Sequence, residues 1–209
     1  MNDTFVPQPS STPPGYRVER KLAGTEMSDV YLAREETGLR RRVALKVLKP
    51  ELAADPAFLE RFRREVARAA ELEHPHVIPV YRAEVDGHCF LAMRYVSGPT
   101  LTGLLEERGR LDLDTTARVL SQLADALDTA HAVGLVHRDV KPGNVLFDRP
   151  DARHAYLLDF GIAKEVEVPS SRLTQTGSFL GTAAYAAPEQ IEDQQVDGRV
   201  DVYALGCVL

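Results

Sequence analysis

From Tyr16 to about Tyr95 the apolar positions come in short runs, "YRVERKLA", "SDVYLARE", "RRVALKVLK", "VIPVYRAE" and "HCFLAMRYV", separated by turn residues. Short runs rich in Val, Leu, Tyr and Phe and bounded in this way predict strands. One helix interrupts them. Asp55 followed by Pro56 supplies an N-cap and a proline at the first helical position. Phe58, Phe62, Val66, Ala69 and Leu72 then recur at helical spacing. After "SGPT" the pattern turns helical. Asp114 is the expected cap of a long helix with Ala117, Leu120, Ala124, Leu127 and His131 as its stripe and Gly134 at its C-terminal end.

Two short apolar runs follow, "NVLF" and "AYLLDF", then a Ser/Thr/Gly-rich loop from about Lys164 to Thr182. The first fifteen residues, with Pro7, Pro9, Pro13 and Pro14 among serines and threonines, hold too little apolar surface to offset ordering and predict a flexible tail. The last run, "DVYALGCVL", is apolar and carries no helix stop signal, which predicts a helix cut in mid-course and a truncated chain.

Composition narrows the class of protein. The 209 residues suit one to two domains, and 44% hydrophobic with 27% charged residues is ordinary globular usage. With 25 basic and 31 acidic residues the net charge is −6, which argues against blanket attraction to nucleic acid or anionic membrane. Arg40 to Arg42 read as a solvated loop. Two distant cysteines, Cys89 and Cys207, make no disulfide framework and fit a reducing compartment. No apolar stretch reaches membrane-spanning length, so the expectation is a cytoplasmic segment without membrane contact of its own.

The chemistry concentrates in "VHRDVKPGN". His137, Arg138, Asp139, Lys141 and Asn144 fit H-R-D-x-K-x-x-N, five specified residues that coincide by chance about once in a few million start positions. Downstream lie Asp159-Phe160-Gly161 and Ala187-Pro188-Glu189, and upstream "VALK" ends in Lys46. On these motifs the chain resembles, from Tyr16 to Leu209, the eukaryotic-type (Hanks-type) serine/threonine protein kinases, particularly their bacterial receptor-like members.

That resemblance implies an α+β, two-lobed fold: an antiparallel sheet with one helix over residues 16–95, and a mainly helical, incomplete lobe over 96–209. It implies ATP as cosubstrate, with magnesium or alternatively manganese. Lys46 would hold the α- and β-phosphates. Glu65, beside the apolar stripe of its helix, needs a cationic partner to offset desolvation, and Lys46 fits. Asp139 would accept or orient the proton of the substrate hydroxyl, and Lys141 would steady the γ-phosphate. Asn144 and Asp159 are hard oxygen ligands for the metal. Leu22, Val30 and Ala44 would roof the adenine pocket, Met93 back it and Leu146 floor it, while Tyr95 and Val96 present backbone groups. His137 is read as a packing residue that supports the loop through Phe160.

The phosphate loop departs from the family's G-x-G-x-x-G-x-V. Ala23, Thr25 and Ser28 stand at the glycine positions, and Gly24 occupies a variable one. Side chains there are expected to crowd phosphate or stiffen the loop, Thr25 most of all because it is β-branched. The favoured function is ATP-dependent phosphorylation of protein serine and threonine hydroxyls in signalling, Lys141 matching the Ser/Thr branch. The alternatives are a pseudokinase-like nucleotide-binding scaffold and a small-molecule phosphotransferase, the latter opposed by "GTAAYAAPE". Implied partners are protein substrates and a second copy for autophosphorylation. Thr174 and Thr176 are the expected regulatory phosphorylation sites, answering to Arg138. Nucleic acid is not an expected partner, and any membrane anchor would lie in a following segment.

Overall fold

The computed structural model describes residues 12–85, 88–160, 184–192 and 194–209. The chain forms two compact units. One runs to Ala70 and resumes over Pro79–Tyr95; the other holds Glu71–Ile78 and Val96–Leu209. The first is dominated by a sheet and the second by helices, an α+β organisation.

In the first unit, β1 (Tyr16–Gly24), β2 (Ser28–Glu35), β3 (Arg42–Leu48), β4 (Val80–Glu84) and β5 (Phe90–Arg94) form one antiparallel sheet in the order β1-β2-β3-β5-β4. Alternation along the strands separates two faces. One carries a core of Tyr16, Val18, Tyr31, Ala33, Val43, Leu45, Phe90 and Ala92. The other is set by cross-strand partners: Ala23 opposite Val30, Val30 opposite Lys46, Lys46 opposite Leu91, and Ala44 opposite Met93. A register shift between Lys21 and Ala23 leaves Leu22 as the unpaired extra residue of β1.

A single turn, α1 (Pro50–Ala53), follows β3. The strand-and-loop pattern there gave no sign of it, because four residues are too few to show a period. α2 (Pro56–Glu71) begins where expected, the Asp55 Oδ1 accepting the N–H groups of Ala57 (2.9 Å) and Phe58 (3.2 Å). Its buried face is Phe58, Phe62, Glu65, Val66 and Ala69.

In the second unit, α3 (Leu101–Arg108) is capped by Thr100, whose Oγ1 accepts the Gly103 N–H at 3.2 Å. The long helix α4 (Leu113–Ala132) corrects the sequence expectation twice. Its cap is Asp112, which accepts from the Thr115 N–H at 2.9 Å, and not Asp114. Its buried face is Val119, Leu123, Ala126, Leu127 and Ala130, of which the expected stripe contains only Leu127. Ala117, Leu120 and Ala124 instead flank the last helix, beside Val202, Leu205 and Leu209. Alanines and leucines on two sides of α4 allow either stripe, and tertiary packing selects the deeper one. Gly134 ends α4 as expected, at φ +73° with its N–H on the His131 carbonyl at 3.0 Å.

β6 (Val145–Phe147) and β7 (Ala155–Leu157) form a hairpin, and α5 (Pro188–Ile191) and α6 (Arg199–Val208) complete the described elements. The stretch after α2 was expected to belong with the sheet. It joins the second unit because Val77 bridges Leu157, the Leu157 N–H donates to the His76 carbonyl at 2.7 Å, and His76 Nδ1 donates to the Ala155 carbonyl at 2.9 Å.

Candidate active site

In the second unit α4 delivers the chain into an irregular segment, residues 135–141, held almost entirely by side-chain bonds to its backbone. Asp201 on α6 is fully buried (0% exposed). Its Oδ1 accepts the Arg138 N–H at 2.7 Å, and its Oδ2 accepts the His137 N–H and His131 Nε2–H, each at 2.8 Å. Three donors offset the desolvation of this carboxylate. Arg138 sits at φ +63°, a left-handed conformation that is strained for a residue with a side chain.

His137 is also fully buried. Its Nδ1 accepts the Asp139 N–H at 3.2 Å, which leaves the proton on Nε2, donated to the Leu158 carbonyl at 2.7 Å. Burial holds its pKa below the usual imidazole range, so the neutral tautomer persists. Its ring lies 4.8 Å from that of Phe160. This is the packing role expected of it: the histidine ties the segment before Asp139 to the strand end before Asp159.

Asp139, Lys141 and Asn144 come together. One carboxylate oxygen, Asp139 Oδ2, lies 2.9 Å from Lys141 Nζ and accepts from Asn144 Nδ2 at 3.0 Å. The same amide nitrogen donates to the Asp139 carbonyl at 2.7 Å, which fixes the amide and turns its Oδ1 the opposite way. The Leu158 N–H donates to the Asn144 carbonyl at 2.9 Å, so Asn144 and Asp159 stand at the same end of the β6–β7 hairpin. Asp159 is also left-handed, at φ +56°. Such residues cluster where a site holds its groups against local preference. Leu146 lies on β6, and Val96 precedes the turn that enters α3.

In the first unit the sheet face opposite the core carries Ala23, Val30, Ala44, Lys46 and Met93 together, as the pairing register dictates. Tyr95 follows directly after β5. Lys46 (8% exposed) and Glu65 (6% exposed) are both buried in this unit, and Arg68 Nη1 lies 3.7 Å from Glu65 Oε1.

The turn between β1 and β2 shows what Thr25 does. Its Oγ1 accepts the N–H groups of Met27 (3.2 Å) and Ser28 (3.1 Å), and its own N–H donates to the Ser28 carbonyl at 2.8 Å. The hydroxyl is spent on the turn, which stiffens it. Beside it, Asp29 binds Lys21 and Lys49, each at 2.7 Å, and a Cβ added to Gly24 would meet Asp29 Oδ1 at 2.6 Å. That close approach explains the glycine at a variable position.

Thr174 and Thr176 lie outside the described residues, as does Gly161. Sequence reasoning missed Asp201 and Gln190. A signal existed for the first, since an acid inside the otherwise apolar "DVYALGCVL" needs partners if it is buried. Among the described residues no group of three or more His, Cys, Asp or Glu could hold a metal, and no helix is long and apolar enough to cross a membrane.

Comparison with known proteins adds the relatives. The protein kinase domain family matches residues 16–209. The serine/threonine-protein kinase PknH of Mycobacterium bovis is 44% identical over 195 residues, covering 93% of this chain and 32% of the relative. PknE of Mycobacterium tuberculosis, also named a serine/threonine-protein kinase, is 42% identical over 195 residues, covering 93% of this chain and 34% of the relative. The chain thus spans about a third of the length of these curated relatives. The crystal structure of the Mycobacterium tuberculosis PknI kinase domain superposes with a TM-score of 0.70 at 39% identity, over 93% of this chain and 72% of that one.

Proposed function

Because the chain belongs to the protein kinase family, we propose that it transfers the γ-phosphoryl group of ATP to serine and threonine hydroxyls of proteins. The observation that supports this most is the Asp139 carboxylate, with the Lys141 ammonium and the Asn144 amide on one of its oxygens. Phosphoryl transfer asks chiefly for positioning and charge compensation. A carboxylate held in this way accepts or orients the proton of the acceptor hydroxyl. Lys141 meets the charge of the γ-phosphate, and its place two residues after Asp139 matches the Ser/Thr branch of the family. Lys46, with Glu65 as counter-charge, engages the α- and β-phosphates. The face of Ala23, Val30, Ala44 and Met93, with Leu22 and Gly24 at the loop, receives the nucleotide. Leu146 and the backbone of Tyr95 and Val96 are the further residues that the family resemblance assigns to adenine.

The family uses ATP with a divalent metal ion. Asn144 and Asp159 fit one, since both offer hard oxygen donors at the end of one hairpin. Magnesium suits them best, with manganese as a substitute, and when bound it neutralises phosphate charge. The protein substrates include a second copy of this chain, phosphorylated at Thr174 and Thr176, whose phosphates pair with Arg138. The catalytic segment works in the cytoplasm, with any membrane anchor in a following part.

The test is transfer of labelled γ-phosphate from ATP to an unstructured acceptor protein, followed by phosphoamino-acid analysis. Phosphoserine and phosphothreonine are expected, without phosphotyrosine. Asp139→Asn should lower turnover by about 100-fold or more while nucleotide affinity stays within about twofold. Nucleotide binding without transfer by the unmutated chain would instead establish a scaffold.

A further inference from the structure

We propose that Gln190 is a positioning residue for phosphoryl transfer, its side-chain amide holding the peptide group between Arg138 and Asp139. The inference rests on the kinase reading of Asp139 and adds a residue that the motif patterns do not contain.

The peptide in question is gripped at both ends. Its carbonyl, that of Arg138, accepts Gln190 Nε2–H at 3.1 Å. Its N–H, that of Asp139, donates to His137 Nδ1 at 3.2 Å. The N–H on the other side of Arg138 goes to Asp201 Oδ1 at 2.7 Å. Arg138 therefore has both backbone polar groups bonded to side chains from distant parts of the chain, and it needs them, because a φ of +63° is unfavourable for a residue with a Cβ. A residue stays in such a conformation only where its surroundings over-determine it.

A change in ψ of Arg138 or φ of Asp139 that the other does not compensate turns the Cα–Cβ bond of Asp139, and holding this peptide plane suppresses both. Of the two grips on the plane, His137 is locked by burial and by Leu158, whereas Gln190 reaches in from α5. Its other end is committed too: Gln190 Oε1 accepts the Ala187 N–H at 3.1 Å. One amide thus joins the first turn of α5 to the residue before Asp139. The bridge needs a donor at one tip and an acceptor at the other, which a carboxamide has and a carboxylate lacks. A displacement of residues 187–191 therefore reaches the residue before Asp139 through this side chain.

Gln190→Glu separates the two ends. The carboxylate still accepts from Ala187 and so preserves the turn, but it cannot donate to the Arg138 carbonyl. Turnover of this variant is expected to fall about 10- to 100-fold, in keeping with the cost of a small misplacement of a reacting group, while the KM for ATP changes less than about twofold. The melting temperature should stay close to the parent's. Lowering the pH protonates the new carboxyl and restores a donor, so the ratio of variant to parent turnover should rise between pH 7.5 and 5.5. Gln194→Ala, at an exposed neighbour whose side-chain amide donates to Glu192, is the control and should match the parent. Backbone hydrogen exchange over residues 137–140 should quicken in Gln190→Glu and not in Gln194→Ala.

Turnover of Gln190→Glu within twofold of the parent, with unchanged exchange at 137–140, overturns the inference. A loss of turnover that is independent of pH and equal to that of Gln190→Ala, with matching loss of melting temperature, also overturns it, since Gln190 would then only support α5. If the parent itself transfers no phosphate, the kinase reading fails. The exchange measurement then still decides whether Gln190 holds the peptide.

Discussion

Asp201 Oδ1 accepts the backbone N–H of Arg138 at 2.7 Å, and this bond joins a fully buried carboxylate on the last helix to a left-handed residue immediately before Asp139. The carboxylate acts on the path of the main chain and touches no reacting group. Its second oxygen takes the His137 N–H and the His131 ring, so three separate donors converge on one side chain. Residues 135–141 have no strand ladder or helix to satisfy their amides, and Asp201 supplies what regular structure would.

Replacing this residue should therefore be costly. Asp201→Ala leaves two buried N–H groups and one imidazole donor without their acceptor, and is expected to destabilise the second unit by about 3–5 kcal/mol. The melting temperature should fall by roughly 10 °C. Asp201→Asn, which retains one carbonyl oxygen, should lose less. Thermal melts of the three proteins check this, and an alanine variant within 2 °C of the parent would contradict it.

Gly198 precedes α6 and lies against His131. A Cβ there would meet the ring at 2.7 Å from Nδ1 and 2.9 Å from Cγ, too close to be absorbed without turning the imidazole. Turning it breaks the bond to Asp201. Gly198→Ala should accordingly cost about 1–3 kcal/mol, and most of that cost should vanish in a His131→Ala background. A double-mutant cycle by chemical denaturation measures the coupling.

Thr25 occupies the hydroxyl-bonded turn between β1 and β2, where its Oγ1 claims the N–H groups of Met27 and Ser28. Those donors are then withheld from phosphate. Thr25→Ala should free them and tighten ATP binding by about 3- to 10-fold, whereas Thr25→Ser keeps the hydroxyl and should leave affinity unchanged. Calorimetric titration of both variants decides it. Weaker binding by Thr25→Ala would mean that the stiffened turn, rather than its donors, sets the affinity.

Acid should weaken the fold. Burial lowers the pKa of both His76 and His137 below the ordinary imidazole value. For His76, His154 and His74 push in the same direction, while the Ala155 carbonyl and Asp125 oppose it. The unfolded chain takes up these protons below about pH 6.5 and the folded chain resists them. Stability from these groups is therefore fully present above about pH 6.5 and is lost as the pH falls below it. The melting temperature should be flat from pH 8 to 7 and drop by roughly 5 °C by pH 5.5. His76→Gln should flatten part of that slope; an unchanged slope would remove His76 as a contributor.

Much of this protein is written locally. The five strands of the first sheet follow from short apolar runs between turns, and the start of α2 follows from Asp55-Pro56, because each signal is complete within a few residues. The group of Asp139, Lys141 and Asn144 was legible for the same reason: the three lie within one short segment. Even the sheet face that carries Lys46 follows from strand alternation once the register of β3 is known. What the sequence could not decide was which of two apolar stripes on α4 goes inside, since Leu120 and Leu123 are equally hydrophobic and only their neighbours differ. Nor could it show why Arg138 adopts a left-handed backbone. That conformation depends on Asp201, which lies 63 positions away, and on Gln190, which lies 52 away; no periodicity or motif joins residues so separated. A buried polar group is stable only when its partners arrive from elsewhere in the chain, and their arrival is a property of the folded molecule.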